Sequence, residues 1–318
     1  MGDRCGRYAA GRSLRRGTGA GLASVRQTLP MSVGFESVRL ASEAAFRAMA
    51  APLAETFLVR QQRQLDLAQS GHAIHYWGFC AFCGDRARFT CDWHAAFSHP
   101  DGRQEPNWRE RLVCDRCGLN NRLRAALHFM QARAGLQRSS LIYLTEQATP
   151  FYAAMRQRSD CLVGSEFLRD GTPPGGHNVG GLRHEDVTAL SFSDGIFDLV
   201  GCFEVLEHVH DYRAGLRELR RVLRPGGHLT ASFPFRMDLS ETLVRARIDA
   251  AGEVEHLAEP EYHGDPLREG GILCFRHFGW DILDAMRMAG FSEAACHLYW
   301  SWDLGYLGDP QCLFHAVR

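Results

Sequence analysis

From Leu141 onward, short apolar runs alternate with amphipathic stretches. Leu141, Ile142, Tyr143 and Leu144 read as a short buried strand, and the polar turn after them leads into a helical TPFYAAMRQR. DCLVGSEFL repeats this pattern, with Glu166 at the end of its apolar run. Beyond the glycine and proline loop DGTPPGGHNVGG, the pattern predicts a short strand, a polar turn and a further strand at Phe197 to Cys202. Asp211 is placed to cap the next helix, on which Tyr212, Leu216, Leu219 and Leu223 recur with helical spacing. Pro225 stops that helix, and Gly226 and Gly227 turn the chain into HLTASFPF. This βαβ succession predicts an α/β fold: a doubly wound, mostly parallel sheet covered by helices on both faces.

The first half follows a different pattern. Residues 36–68 are rich in helix formers, and the spacing predicts two helices broken near Pro52. A region of Cys, His, Trp and Gly extends from about His72 to Leu119, and NRLRAALHFMQARAG predicts a short helix leading into the α/β part. Three divisions are expected: an Arg- and Gly-rich disordered segment over 1–30, a small helical and cysteine-rich module over 31–135, and the α/β domain over 136–318. The acid-poor first segment also has the composition of an organelle transit peptide, and Met31 offers an alternative start.

Composition narrows the chemistry. All 36 basic residues are arginine, so a Schiff-base lysine and a Walker-type phosphate loop are excluded. The net charge of −1 gives no global attraction to nucleic acid, and the sequence lacks an apolar run long enough to span a bilayer. The 11 cysteines, mostly scattered, argue against a secreted disulfide framework and for a reducing, cytoplasmic setting.

One cysteine arrangement is compact. Cys80 and Cys83 in CAFC, with Cys114 and Cys117 in CDRC, form two CxxC knuckles, the spacing of a closed, structural zinc site. Cys91, His94 and His99 lie in the long intervening loop, so one ligand could be exchanged. Tyr76, Trp77, Phe79 and Phe82 are expected to form a miniature core, and Arg86, Arg88, Arg109, Arg111, Arg116, Arg122 and Arg124 a solvated basic face.

FDLV, EVLEHV and LRRVLRPGGHL, in this order and spacing, resemble class I S-adenosylmethionine-dependent methyltransferases of the group acting on small molecules. The likeness extends over Leu141 to Arg318, since FGWDILDAMRMAGF, SEAACHLYW and QCLFHAVR look like the last helix and closing antiparallel hairpin of that Rossmann-like fold. The resemblance implies roles for individual residues. Glu166 would accept hydrogen bonds from the ribose hydroxyls, Asp186 would sit near the adenine amino group, Val187 would line the adenine, and Phe203 and Glu204 would face the methionine part. The chain departs from the family at the first turn, where Thr145, Glu146, Gln147, Ala148, Thr149 and Pro150 replace the glycine-rich loop. Glu146 is then expected near the cofactor's amino group, with Thr145, Gln147 or Thr149 reaching its carboxylate. For a general base the choice is His208, with His277 and His263 behind it.

The resulting expectation is methyl transfer from S-adenosylmethionine to a small-molecule or saccharide-like acceptor. Two alternatives stay open. One is an RNA methyltransferase using the zinc module to hold RNA, and the other is a non-catalytic binding protein with a degenerate cofactor loop.

Overall fold

The computed structural model describes residues 35–68, 72–100 and 102–318. The segment 1–30, expected to be disordered, and Met31 lie outside the described residues. The described chain opens with β1 (Ser37–Leu40) and α1 (Glu43–Leu67). A small antiparallel sheet follows, made of β2 (Ile74–Cys80), β3 (Asp85–Cys91) and β4 (Val113–Cys114), with the one-turn helix α2 (Trp108–Arg111) before its last strand. Next come α3 (Asn121–Arg133), β5 (Ile142–Leu144), α4 (Pro150–Arg156), β6 (Leu162–Gly164) and β7 (Phe197–Phe203). The rest comprises α5 (Tyr212–Val222), β8 (Leu223–Ser232), a hairpin of β9 (Tyr262–Asp265) and β10 (Arg268–Leu273), α6 (Asp281–Met288), β11 (Glu293–Ser301) and β12 (Tyr306–Val317).

Seven strands form the central sheet, in the order β1-β11-β12-β8-β7-β5-β6. Its middle is parallel (β6 with β5, β5 with β7, β7 with β8), and β12 and β11 close it antiparallel, as expected. The predicted short strand near 184 is reduced to a single parallel bridge between Glu166 and His184. Here the polar run Arg183, His184, Glu185 ties the backbone by side-chain bonds: Arg183 and Ser191 both reach the buried Glu185 carboxylate.

Alternation along β5 sets up two cores. Ile142 and Leu144 face α3, α4 and the cysteine-rich sheet, while Leu141 and Tyr143 face the cluster containing Leu216 and Leu219 of α5 and Ile282 and Met286 of α6. Residues Leu123 to Met130 of α3 are all buried, so this helix covers one face of the large sheet and does more than lead into it.

Two details differ from the sequence expectation. The stretch around Pro52 is one continuous 25-residue helix, α1. Ser42 caps it, helix formers flank Pro52 on both sides, and the exposed ring removes only one intrahelical donor. Second, residues 37–40, expected to begin the first helix, form the strand β1 at the edge of the large sheet, where Val38 pairs with Leu298.

Candidate active site

The carboxyl ends of β5, β6 and β7 open into a cavity of about 620 Å³ lined by Thr145, Glu146 and Thr149 after β5, Ser165 and Glu166 after β6, and Phe203 and Glu204 after β7. Ligands in open α/β sheets bind at this edge, and the volume lies within the common range for small-molecule sites. Asp186, Val187 and His208 complete the part legible in the sequence. The far wall comes from the β9–β10 hairpin, through Gly264, Asp265, Leu267, Arg268 and Ile272.

The glycine-free turn is held from outside. One oxygen of Glu166 accepts from the backbone amides of Gln147 and Ala148, at 2.7 and 2.6 Å. Part of its carboxylate therefore shapes the loop, while the residue still lines the cavity. Gln147 points the other way: its amide donates to Gly181 O and accepts from Arg183 N, and its side chain does not line the cavity. Thr149 caps α4 by accepting from Tyr152 N.

Glu146 is buried, and its Oε1 has no hydrogen-bond partner. Burial raises its pKa to about 7. Asp186 is oriented by Thr188, whose amide and hydroxyl both donate to its Oδ1. Glu204 sits at φ 53°, a left-handed conformation that a non-glycine residue adopts only when its surroundings impose it. Its amide bonds to Ser232 O, and its Oε1 accepts from Ser232 Oγ and from Arg109 Nη2 at 2.6 Å. Burial acts to raise the Glu204 pKa, but the nearby Arg109 and Arg122 guanidiniums outweigh it and hold the carboxyl at about 2.

Arg109 and Arg122 are the residues that sequence reasoning missed. Both come from the cysteine-rich half, and Arg122 on α3 lines the cavity while Glu110 holds its Nε at 2.8 Å and Nη2 at 3.2 Å. The signal available was the arginine cluster itself, read as a solvated face. Of the rest of the cluster, Arg86, Arg88 and Arg116 are exposed as that reading expects, Arg88 and Arg116 in surface pairs with Asp115 and Asp85; Arg111 pairs with Asp92, and Arg124 is fully buried against Leu304 O and Gly305 O.

The three candidate bases differ in position. His208 lines the cavity, and its Nδ1 lies 2.8 Å from Leu273 O. A carbonyl only accepts, so Nδ1 carries the proton and Nε2 keeps its lone pair. Burial lowers the His208 pKa. His263 and His277 stand behind the cavity wall, and both place Nε2 against Glu261, at 2.9 and 3.0 Å. Contact with the Cys274 thiol, followed by Glu207, raises the His263 pKa to about 11. Cys274 is likewise the largest cause of the rise at His277.

The four knuckle cysteines converge at the end of the small sheet, with Sγ atoms 3.9 Å apart for Cys80 and Cys117 and 3.8 Å apart for Cys83 and Cys114. A tetrahedral ion about 2.3 Å from each sulfur sets the sulfurs about 3.8 Å apart, which these residues match. Cys91 is buried away from this group, and its thiol bonds to Asp92 O; His99 pairs with Glu105.

Residues 168–231 match the family described as a methyltransferase domain. The chain is 39% identical over 70 residues to the demethylmenaquinone methyltransferase of Corynebacterium efficiens, covering 22% of this chain and 30% of that protein. It is 30% identical over 144 residues to a protein of Mycolicibacterium smegmatis named Probable S-adenosylmethionine-dependent methyltransferase, covering 40% of this chain and 52% of the other. The chain thus spans between about a third and a half of the length of these two relatives. Among solved structures, an S-adenosylmethionine-dependent methyltransferase from Mesorhizobium loti overlaps 62% of this chain and all of its own, with 20% identity and a TM-score of 0.36. The segment similar to a methyltransferase domain thus includes Asp186, Val187, Phe203, Glu204 and His208 of the cavity lining.

Proposed function

We propose that this protein transfers a methyl group from S-adenosylmethionine to a small-molecule or saccharide-like acceptor. The observation that carries this reading is the pairing, in one cavity, of a buried carboxylate oxygen without a partner and a guanidinium: Glu146 for an ammonium, Arg122 for a carboxylate. An amino-acid end group carries both charges. The remaining oxygen of Glu166 would take ribose hydroxyls, and Asp186 and Val187 would hold the adenine. When bound, the cofactor supplies a methyl already activated on a sulfonium, so the chain's main task is alignment. His208, which lines the cavity and whose Nε2 lies 3.6 Å from Glu207 Oε1, would take the proton of an acceptor hydroxyl or amine. Thr145 would add a hydroxyl beside Glu146.

The four cysteines would hold one zinc ion in a closed structural site, a reading supported by their spacing. The net charge of −1 gives no general attraction for a phosphate backbone, which speaks against the RNA alternative. Among the described residues no helix is long and apolar enough to cross a membrane. Calorimetric titration with S-adenosylhomocysteine, followed by turnover against a panel of hydroxyl and amine acceptors, tests the function. Absence of cofactor binding to the intact chain would leave the non-catalytic alternative.

A further inference from the structure

Behind the acceptor wall lies a second cluster of metal-ligating side chains, well separated in sequence from the CxxC knuckles. Glu261 immediately precedes the β9–β10 hairpin and Cys274 immediately follows it; Cys274 N donates to Glu261 O at 2.8 Å, pinching the hairpin shut at its base. His263 lies on β9, and His277 on a two-residue strand paired with Leu243 and Val244. Ligand atoms of Glu261, Cys274 and His277 all fall within 4.8 Å of one another. His263 Nε2 is 2.9 Å from Glu261 Oε1, and the same ring contacts Cys274. One imidazole, one thiol and one carboxylate thus meet at the root of a single hairpin, with the His263 ring against the carboxylate and the thiol.

We propose that these four residues, Glu261, His263, Cys274 and His277, form a second metal site for a zinc-type divalent ion, with a shell of two histidines, one cysteine and one glutamate. The donor set fits: zinc accepts imidazole, thiolate and carboxylate in tetrahedral geometry, and a buried thiolate disfavours magnesium and calcium. A separate observation comes from Glu207. Its side chain is fully buried, and neither oxygen has a hydrogen-bond partner, yet Oε1 lies 3.7 Å from His263 Nδ1. When His263 ligates through Nε2, its Nδ1–H faces that carboxylate, the outer partner that ligating histidines commonly have. Charge also balances. The ion and Arg245, whose Nε is 3.2 Å from Glu261 Oε2, offset the thiolate and the two carboxylates. An approach from solvent exists, since the His263 and Glu261 side chains are 27% and 33% exposed. The ion would displace the thiol proton that now points to Arg276 O.

The site would fix the hairpin that supplies Asp265, Arg268 and Ile272 to the cavity, and thereby set the shape of the acceptor wall. The test is metal analysis of the intact chain, purified without chelator and incubated with Zn²⁺, beside Cys274→Ser, His277→Gln and Cys114→Ser. The expected result is about two zinc per wild-type chain, with one lost in Cys274→Ser and in His277→Gln while the knuckle ion stays. Cobalt substitution gives a second readout: a thiolate charge-transfer band should weaken, but not vanish, in Cys274→Ser. One zinc per wild-type chain, unchanged in both hairpin variants and lost in Cys114→Ser, overturns the second site and leaves the knuckle site standing. One zinc lost in the hairpin variants and retained in Cys114→Ser supports the second site and sinks the knuckle reading instead.

Discussion

At the scale of single residues, Glu146 has the most to gain from a ligand. It holds a carboxyl in a buried place at about pKa 7, with one oxygen unpaired. An ammonium beside it favours the ionised form, so binding should pull its pKa down and release a proton near neutrality. Affinity for S-adenosylhomocysteine should therefore rise as pH increases from about 6 to 8, and titrations in buffers of different ionisation enthalpy should show that release. Glu146→Gln should abolish the proton release and weaken binding by about 1.5 to 3 kcal/mol, the usual cost of losing a hydrogen bond to a charged group. A pH-independent affinity would show that Glu146 does not meet the ammonium. Arg122 has the complementary expectation: Arg122→Gln should weaken S-adenosylhomocysteine by a similar amount and leave methylthioadenosine, which lacks the amino-acid end, unaffected. Equal losses for both ligands would make Arg122 a scaffold residue only.

At the scale of elements, the chain replaces a missing loop type with side-chain anchoring. Glu166 takes two amides that a glycine turn would have aimed at a ligand, so the turn is shaped by a carboxylate one strand away. Long α1 shows a related economy, for its Gln64 accepts from Trp300 Nε1 and Gly308 N and docks the helix on the β11–β12 hairpin. Because Pro52 is exposed and costs the helix a donor, Pro52→Ala should raise stability by about 1 to 3 kcal/mol, read as a higher melting temperature; an unchanged or lower value would mean the helix depends on the proline bend. The elements β5 to β8 were legible because alternation, the Asp211 cap and the Pro225-Gly226-Gly227 stop are local signals, whereas the β9–β10 hairpin carried none and the strand expected near 184 shrank to one bridge. The continuity of α1 was not, since a proline's local penalty is visible in sequence while the tertiary dock that overrides it is not. The cavity followed the same division. Glu146 and Glu166 follow strand ends, and Glu166 and Asp186 could be placed through the family resemblance, whereas Arg109 and Arg122 arrive from another part of the chain. Only the packing of α2 and α3 against the large sheet brings them to Glu204 and the cavity.

At the scale of the whole molecule, the cysteine-rich half is not an appendage. Phe89, Leu112 and Leu119 share one buried cluster with Phe129 of α3 and with Ile142, Leu144 and Tyr306 of the large sheet. Phe79 N donates to Asp303 O at 2.7 Å, and the Arg124 guanidinium, lying 4.0 Å over the Phe89 ring, reaches the carbonyls of Leu304 and Gly305. A bare reading of the CxxC knuckles predicts that metal loss would loosen this module alone. The shared core predicts more. If the knuckles hold zinc, its removal takes folding energy from β2, β3 and β4, and these strands support the helix that presents Arg122 to the cavity. Cys114→Ser should therefore lower the melting temperature in a single cooperative transition and reduce affinity for S-adenosylhomocysteine by about tenfold or more, the loss expected when a charged contact of about 1.5 kcal/mol or more is disturbed. The measurement is calorimetric melting with and without ligand, beside ligand titration of the same samples. Two separate transitions, with the later one and the ligand affinity unchanged, would show instead that the module and the α/β domain fold and bind independently.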